Sequence, residues 1–333
     1  MLDVAVVGLG WWGRTIVGLL TDSERLRPVL GVDPEPAGRE WARERGLAVT
    51  ADLAEALRDP AIDAVLLCSP HRFHAEQIVA AAEAGKHVFC EKPFTTSVAE
   101  ADIALDAVRA AGVALGIGHE RRFEPAVMEL QERCRSGEFG IPLVFEGNFS
   151  QDKFLSLPPD NWRLSPELAP VGPLSATGIH LVDLAVSILG EPTEVWARLS
   201  TRATTFGNGD TLSVTLGFDG GATASITAIL TTPFIGRICV LGSEGWMEIR
   251  DRSHPENPTG WDVTTVRRGG EREERVVAPN AAVRDNLERF AASIEGEGSY
   301  PVTTAEIRST VRAFEAITRS AMSGAVERLD RPS

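Results

Sequence analysis

A lysine and a histidine carry the chemistry that this 333-residue chain offers. Lys92 stands between Glu91 and Pro93, directly after the strand-like run 86–90, where a buried strand would end. An ammonium group fixed at a strand end can hydrogen-bond a substrate hydroxyl and stabilise alkoxide charge as it develops during hydride transfer. His180 and Asp183 lie three apart in the segment 176–189, which reads as a helix, so they share one helical face. A carboxylate one turn away orients an imidazole and raises its basicity, which suits His180 to accept the proton of an alcohol under oxidation. Each has a plainer alternative: a solvated surface lysine, and a histidine at a helix start with Asp183 as a surface partner.

Such groups need a scaffold, and residues 2–14 supply its first piece. An apolar run without polar alternation, as expected of a central parallel strand, ends in Gly8-Leu9-Gly10-Trp11-Trp12-Gly13 and turns into a helix. Gly8 permits the tight turn, Gly10 lets backbone approach a pyrophosphate, and Gly13 lets helix pack on strand. Trp11 and Trp12 fill the two variable positions before the third glycine of this cofactor turn, and the free N–H groups of the helix start face the phosphates. The glycine spacing alone is weak in a chain with 31 glycines, but the next apolar segment, 28–32, ends in Asp33. That is the roughly 20-residue offset at which a carboxylate takes the adenosine ribose, and its charge would repel a 2′-phosphate. NAD is therefore expected over NADP, with Arg39 nearby as the residue that would argue otherwise.

Strand-like and helix-like segments then alternate. Strands are expected at 62–68, 86–90 and 113–117; helices at 53–57, capped by Asp52 with Glu55, at 74–84, and from Ser97 and Glu100 to residue 111. The alternation predicts an α/β fold with a doubly wound parallel sheet over residues 1–120, its ligands at the carboxyl ends of the strands. Asp33, Ser69, Pro70, His74, Glu91 and Lys92 all fall at such ends. Beyond residue 121 the pattern changes. After a helix at 125–135 and a strand at 143–149, strands follow one another at 194–200, 211–218, 222–230, 237–241 and 246–249 without intervening helices. Residues 121–333 are thus expected to form an α+β domain on an open, largely antiparallel sheet, whose bare face self-association would cover. Thr303 and Glu306 should cap a helix striped by Ile307, Val311, Phe314 and Ile317.

Composition sets limits. A net charge of −14 argues against a nucleic-acid partner, and no apolar run is long enough to span a bilayer. The first apolar run reads as a strand rather than a signal peptide. Cys68, Cys90, Cys134 and Cys239 lack metal-site spacing and suit reduced thiols in a cytoplasmic protein, with no metal expected.

Taken in order, residues 4–14, Ser69-Pro70 with His74, Glu91-Lys92-Pro93, Arg121-Arg122-Phe123, Gly178-Ile179-His180-Leu181-Val182-Asp183 and Gly242-Ser243-Glu244-Gly245 resemble the Gfo/Idh/MocA oxidoreductases over nearly the whole chain. The resemblance implies an N-terminal Rossmann domain, a C-terminal domain whose open sheet mediates a homodimer or homotetramer, and NAD(P)-dependent oxidation or reduction of a sugar, cyclitol or related polyol. It implies catalytic roles for Lys92 and His180. Many members carry an aspartate four residues before the histidine; here Ala176 stands there, leaving Asp183 or Asp152 to substitute. His119, after the sixth strand, is at a position where asparagine or a small polar residue is expected, and serves the site or the structure.

The passage 151–163 is the candidate for substrate contacts. Trp162 offers a flat apolar face for a sugar ring or fills the core, and Arg163 a fork for a carboxylate or paired hydroxyls. Two other functions compete: a sensor or scaffold that binds dinucleotide without turnover, suggested by Ala176, and a redox-assisted glycosidase or lyase with retained NAD.

Overall fold

The computed structural model describes residues 1–329, which divide into two compact units, Met1–Glu120 with Ala281–Arg308 and Arg121–Asn280 with residues 309–329. The first is a parallel sheet in the order β3-β2-β1-β4-β5-β6. It runs through β1 (Leu2–Val7), α1 (Trp11–Leu19), β2 (Leu26–Val32), α2 (Pro36–Arg43), β3 (Ala48–Thr50), α3 (Leu53–Arg58), β4 (Ala64–Leu67), α4 (His74–Glu83), β5 (His87–Cys90), α5 (Val98–Ala111) and β6 (Leu115–Ile117). Val4, Ala5, Val6, Val65, Leu66 and Leu67 are fully or almost fully buried, which is why these strands read as unbroken apolar runs. Strand order reverses between β1 and β4, and crevices for ligands open at the carboxyl ends beside such a switch.

The second unit opens with α6 (Pro125–Arg135), β7 (Pro142–Ser150) and α7 (Ile179–Leu189). Strands β8 (Pro192–Ser200), β9 (Thr211–Phe218), β10 (Thr223–Ile229), β11 (Ile235–Gly242), β12 (Gly245–Asp251), β13 (Trp261–Arg267) and β14 (Arg272–Val277) follow. With β15 (Glu327–Arg328) they make a nine-stranded sheet, antiparallel except where β10 runs parallel to β7. One face buries Phe145, Val195, Leu212, Val214, Leu216, Ile238 and Met247 against Val127, Leu130, Leu181, Leu184, Phe314 and Ile317 of the helices. The alternate residues Ser213, Thr215 and Ser225 are exposed. No helix among the described residues is long and apolar enough to cross a membrane.

Two features depart from the expected organisation. The chain does not stay in the second unit after residue 121: α8 (Ala282–Ile294) returns to the first, where Leu287, Phe290 and Ala291 join the core of Val4, Leu9, Ile16 and Leu66. Phe290 meets Phe89 edge-on at 5.6 Å, and only a glycine at 116 leaves it room. Burial of such a ring contributes roughly 1.5–3 kcal/mol. Asn286 donates to Ile117 O at 2.9 Å, and the chain's single tyrosine, Tyr300, accepts from Ile117 N at 3.1 Å, so both close the free edge of β6. The other departure is the pair β13 and β14, absent from the expected strand list. The four residues Arg272, Glu273, Glu274 and Arg275 give β14 charges on both faces, a common guard on an edge strand that hides it from a search for alternation.

The capping signals divide. Thr303 and Glu306 form a reciprocal box at the start of α9 (Thr304–Ser323), each accepting from the other's backbone N–H at 2.8 and 3.2 Å. Ser97 accepts from Glu100 N at 3.3 Å. Asp52 accepts from Ala54 N, whereas Glu55 turns to the Thr50 hydroxyl and does not complete a box.

Beneath β12 of the second unit lies a charge cluster. Arg121, 1% exposed, donates to both Asp251 oxygens at 2.7 and 2.9 Å and to Glu124 at 3.1 Å; Trp261 donates to Asp251 at 2.8 Å. One guanidinium cannot neutralise two buried carboxylates. Burial pushes the Glu124 carboxyl up to about 7, outweighing the pull of Arg121, and the neighbouring Asp251 charge adds to the rise. A group whose folded pKa exceeds its unfolded value stabilises most below the unfolded pKa and loses that contribution as pH rises through the folded one. Urea unfolding should therefore show the parent losing about 1–3 kcal/mol more than Glu124→Gln between pH 5 and pH 7.5. Parallel slopes for the two proteins would mean that Glu124 does not titrate in this range.

Candidate functional site

In the first unit the glycine turn is built by close backbone approach. Gly8 has φ of +89°, and a Cβ there would stand 2.8 Å from the backbone of Cys68 and Ser69. A Cβ on Gly13 would lie 1.9 Å from Gly8 O, so the first turn of α1 rests directly on the strand end. At Gly10, by contrast, nothing lies within 4 Å of the Cβ position. Gly10 is also the N-cap of α1 and brings no side chain to the helix start, whose N–H groups remain available to an anion.

Asp33 locks this turn. Its Oδ2 accepts from Leu9 N at 2.5 Å and its Oδ1 from Glu35 N at 2.8 Å, and Gly38 supplies the room, since a Cβ there would lie 2.9 Å from the carboxylate. A carboxylate has about four acceptor sites, so capacity remains for ribose hydroxyls. Arg39 donates to the backbone carbonyls of Asp33 and Pro34 at 2.6 and 2.7 Å. Trp11 is exposed, whereas Trp12 is half-buried with its ring 5.3 Å from that of Trp11. The Trp12 indole N–H is buried without a hydrogen bond of full geometry, and Glu91 is the acid it acts on. Burial raises the Glu91 carboxyl, against the hydrogen-bonding pull of Trp12 and the charge of Lys92. Its space comes from Gly118, where a Cβ would stand 2.4 Å from the carboxyl. Lys92 follows, half-buried, before a cis peptide bond to Pro93.

His74, expected at the cofactor, is fully buried, with Nδ1 2.8 Å from Pro93 O and Nε2 3.0 Å from Ser69 O. Both ring nitrogens are engaged by backbone, so the imidazole ties the loop after β4 to the loop after β5. Ser69 donates to Gln77 at 2.5 Å, and Pro70 leads into the short helical turn before α4. His119 is 2% exposed at the end of β6.

In the second unit a π-helical turn, Leu174–Gly178, precedes α7 and sets the orientation of His180. Such turns concentrate at functional positions. Thr177 donates to Phe149 O at 2.8 Å, which ties this turn to the end of β7, and the His180 ring lies 6.0 Å from the Phe149 ring. Asp183 is not a surface residue. It is 1% exposed, and its two oxygens accept from Arg122 Nε and Nη2, each at 2.7 Å. Removal of one partner from such a buried pair costs about 3–5 kcal/mol, which gives Asp183 a structural duty whatever it does for His180. The partner of Arg122 is 61 positions away, beyond any local pattern in the sequence.

Asp152 is exposed. Arg163 stacks over Trp162 at 4.4 Å, with burial holding the guanidinium below its usual range, and Asn208 pins the Arg163 carbonyl at 2.8 Å. Trp162 is half-buried and stands outside the unit's main core. No cluster of metal-ligating side chains occurs among the described residues.

A glycine turn locked by an acid at the end of β2, with an uncapped helix start beside it, defines a dinucleotide-binding fold. Residues 2–119 match the model of the oxidoreductase family with NAD-binding Rossmann fold, and residues 127–248 match the GFO/IDH/MocA C-terminal domain. The chain is 30% identical to D-xylose 1-dehydrogenase (NADP(+)) 2 of Haloferax volcanii over 333 residues, 99% of each protein. It is 33% identical to scyllo-inositol 2-dehydrogenase (NAD(+)) of Bacillus subtilis over 260 residues, 75% of this chain and 74% of that one. The fold superposes on aldose-aldose oxidoreductase from Caulobacter crescentus, complexed with glycerol, with a TM-score of 0.86 and 27% identity over 98% of this chain and 99% of that one. The chain belongs to the Gfo/Idh/MocA family and is an NAD(P)-dependent oxidoreductase acting on CH–OH groups.

Because Gly13 has no space for a methyl group, Gly13→Ala must either separate α1 from β1 or shift the turn. It should abolish NAD binding by isothermal calorimetry and lower stability by more than about 2 kcal/mol. Unaltered NAD affinity in this variant would contradict the tight turn.

Proposed function

We propose that the substrate is a sugar, cyclitol or related polyol, and that Lys92 and His180 act on the same hydroxyl-bearing carbon. The observation that carries this reading is Lys92 at the end of β5, next to the nucleotide turn that Trp12 and Glu91 share. The similarity to xylose and inositol dehydrogenases supports the substrate class. The bound dinucleotide supplies the hydride acceptor or donor. Open space at Gly10, the free start of α1 and the remaining acceptor capacity of Asp33 suit it. Lys92 donates a hydrogen bond to the reacting oxygen and steadies its charge; His180 takes the hydroxyl proton in oxidation and returns it in reduction.

NAD is favoured over NADP because the Asp33 carboxylate would face the extra phosphate, and Arg39 is held on two backbone carbonyls. A homodimer or homotetramer belongs to the same reading, supported by the single helix-covered face of the nine-stranded sheet. So does residence in the cytoplasm, supported by four free cysteines.

The test is NADH formation across a panel of sugars and polyols. Lys92→Ala should lower kcat about 100–1000-fold and His180→Ala about 100–10,000-fold, the latter with NAD affinity unchanged. Turnover by Lys92→Ala at the parent's rate would remove that residue from the mechanism, and tight NAD binding without turnover on any substrate would favour a sensor.

A further inference from the structure

At the end of β7 in the second unit, Gln151, the first residue of the passage 151–163, joins a side-chain cluster that the proposed reaction does not use. Phe149, Gln151 and the preceding Phe145 and Gly147 alternate onto the helix-covered face, so Gln151 lies one step beyond the ring that touches His180. Its backbone N–H donates to Ile229 O, continuing the sheet past β7. Against it stands His254, from the loop between β12 and β13. The His254 ring is 6.0 Å from Phe149 and 5.2 Å from Phe234, and its Nε2 is 2.7 Å from Gln151 Oε1.

The proton on this imidazole is fixed by its neighbours. Nδ1 faces two donors, Lys153 Nζ at 3.2 Å and the backbone N–H of Glu256 at 3.2 Å, and must therefore be the bare acceptor nitrogen. The Glu256 carboxylate is 3.8 Å away and committed to Lys153. The hydrogen thus sits on Nε2, and the atom facing it has to be an acceptor, the amide oxygen of Gln151. Burial and the charges of Lys153 and Arg121 keep the ring neutral, against Glu256 and Asp251. With its oxygen held, the Gln151 carboxamide must present its NH2 group on the other side. Among the described residues nothing accepts from that nitrogen, and it is not among the side-chain atoms sealed from solvent.

We propose that His254 is a positioning residue: it fixes the Gln151 carboxamide so that its NH2 group hydrogen-bonds a substrate hydroxyl other than the reacting one, on the His180 side of the sheet. The inference rests on the polyol reading. Its ligand chemistry is an acceptor oxygen, which a hydroxyl, ring ether or carbonyl provides and an aliphatic chain does not. His254 adds selectivity without touching substrate.

The experiment is a double-mutant cycle on the polyol the parent uses best, with Gln151→Ala, His254→Phe and the double variant. Loss of one neutral hydrogen bond predicts a rise in KM of about 3–10-fold for each single variant, with kcat little changed. The double variant should be no worse than Gln151→Ala, because His254 acts through that residue. His254→Gln, which returns a donor close to the Nε2 position, should recover most of the KM; a merely structural role would be read instead in Tm and kcat. Multiplying effects, or an unchanged KM in His254→Phe, would overturn the proposal. If the parent turns over no polyol, the reading of function fails, and 15N spectra of labelled histidine decide the positioning separately. An Nε2–H tautomer at pH 7.5 that is lost in Gln151→Ala supports it; an imidazolium or an Nδ1–H tautomer overturns it.

Discussion

The hydrogen bond from Leu9 N–H to the Asp33 carboxylate, 2.5 Å long and buried, is the contact on which the first unit's chemistry depends. It joins the turn after β1 to the end of β2 and fixes the direction of the peptide between Gly8 and Gly10. The turn it locks has no slack, with Gly13 seated on Gly8 O. A helix start held this rigidly keeps its free N–H groups in one place, so a phosphate meets donors already oriented.

The same economy governs the other strand ends of that unit. His74 has no exposed surface and spans two loop carbonyls, which holds the segment carrying Glu91, Lys92 and Pro93. Glu91 occupies the space that Gly118 vacates and meets Trp12 from the glycine turn. Lys92 is thereby placed by buried neighbours on either side of it in sequence, and a reactive group on rigid supports loses less entropy when it engages a substrate. In the second unit the Thr177 to Phe149 O bond does the equivalent for the start of α7, and the Arg122 and Asp183 pair anchors its next turn.

Much of the fold was legible because its signals are local. The strands of the parallel sheet are buried on both faces and read as apolar runs; those of the second sheet are covered on one face and alternate. Gly8, Gly13 and Asp33 could be assigned from spacing because each answers a steric or hydrogen-bonding need of one turn. What stayed hidden depends on contacts remote in sequence. The apolar stripe of α8 is the same whichever core receives it, so its return to the first unit could not be inferred. Nor could the partners of Arg122 and His254, 61 and 103 positions away. A histidine at a strand end, such as His74, serves a ligand or a loop equally well by type, so spacing alone does not assign it.

The proposed reaction moves hydride between a nicotinamide and a carbinol carbon of a polyol. Mass spectrometry of the NADH formed from a polyol deuterated at its carbinol carbons measures that transfer directly. One deuterium per NADH is the predicted result. NADH that carries none, or the release of a cleaved product with no NADH at all, would contradict it.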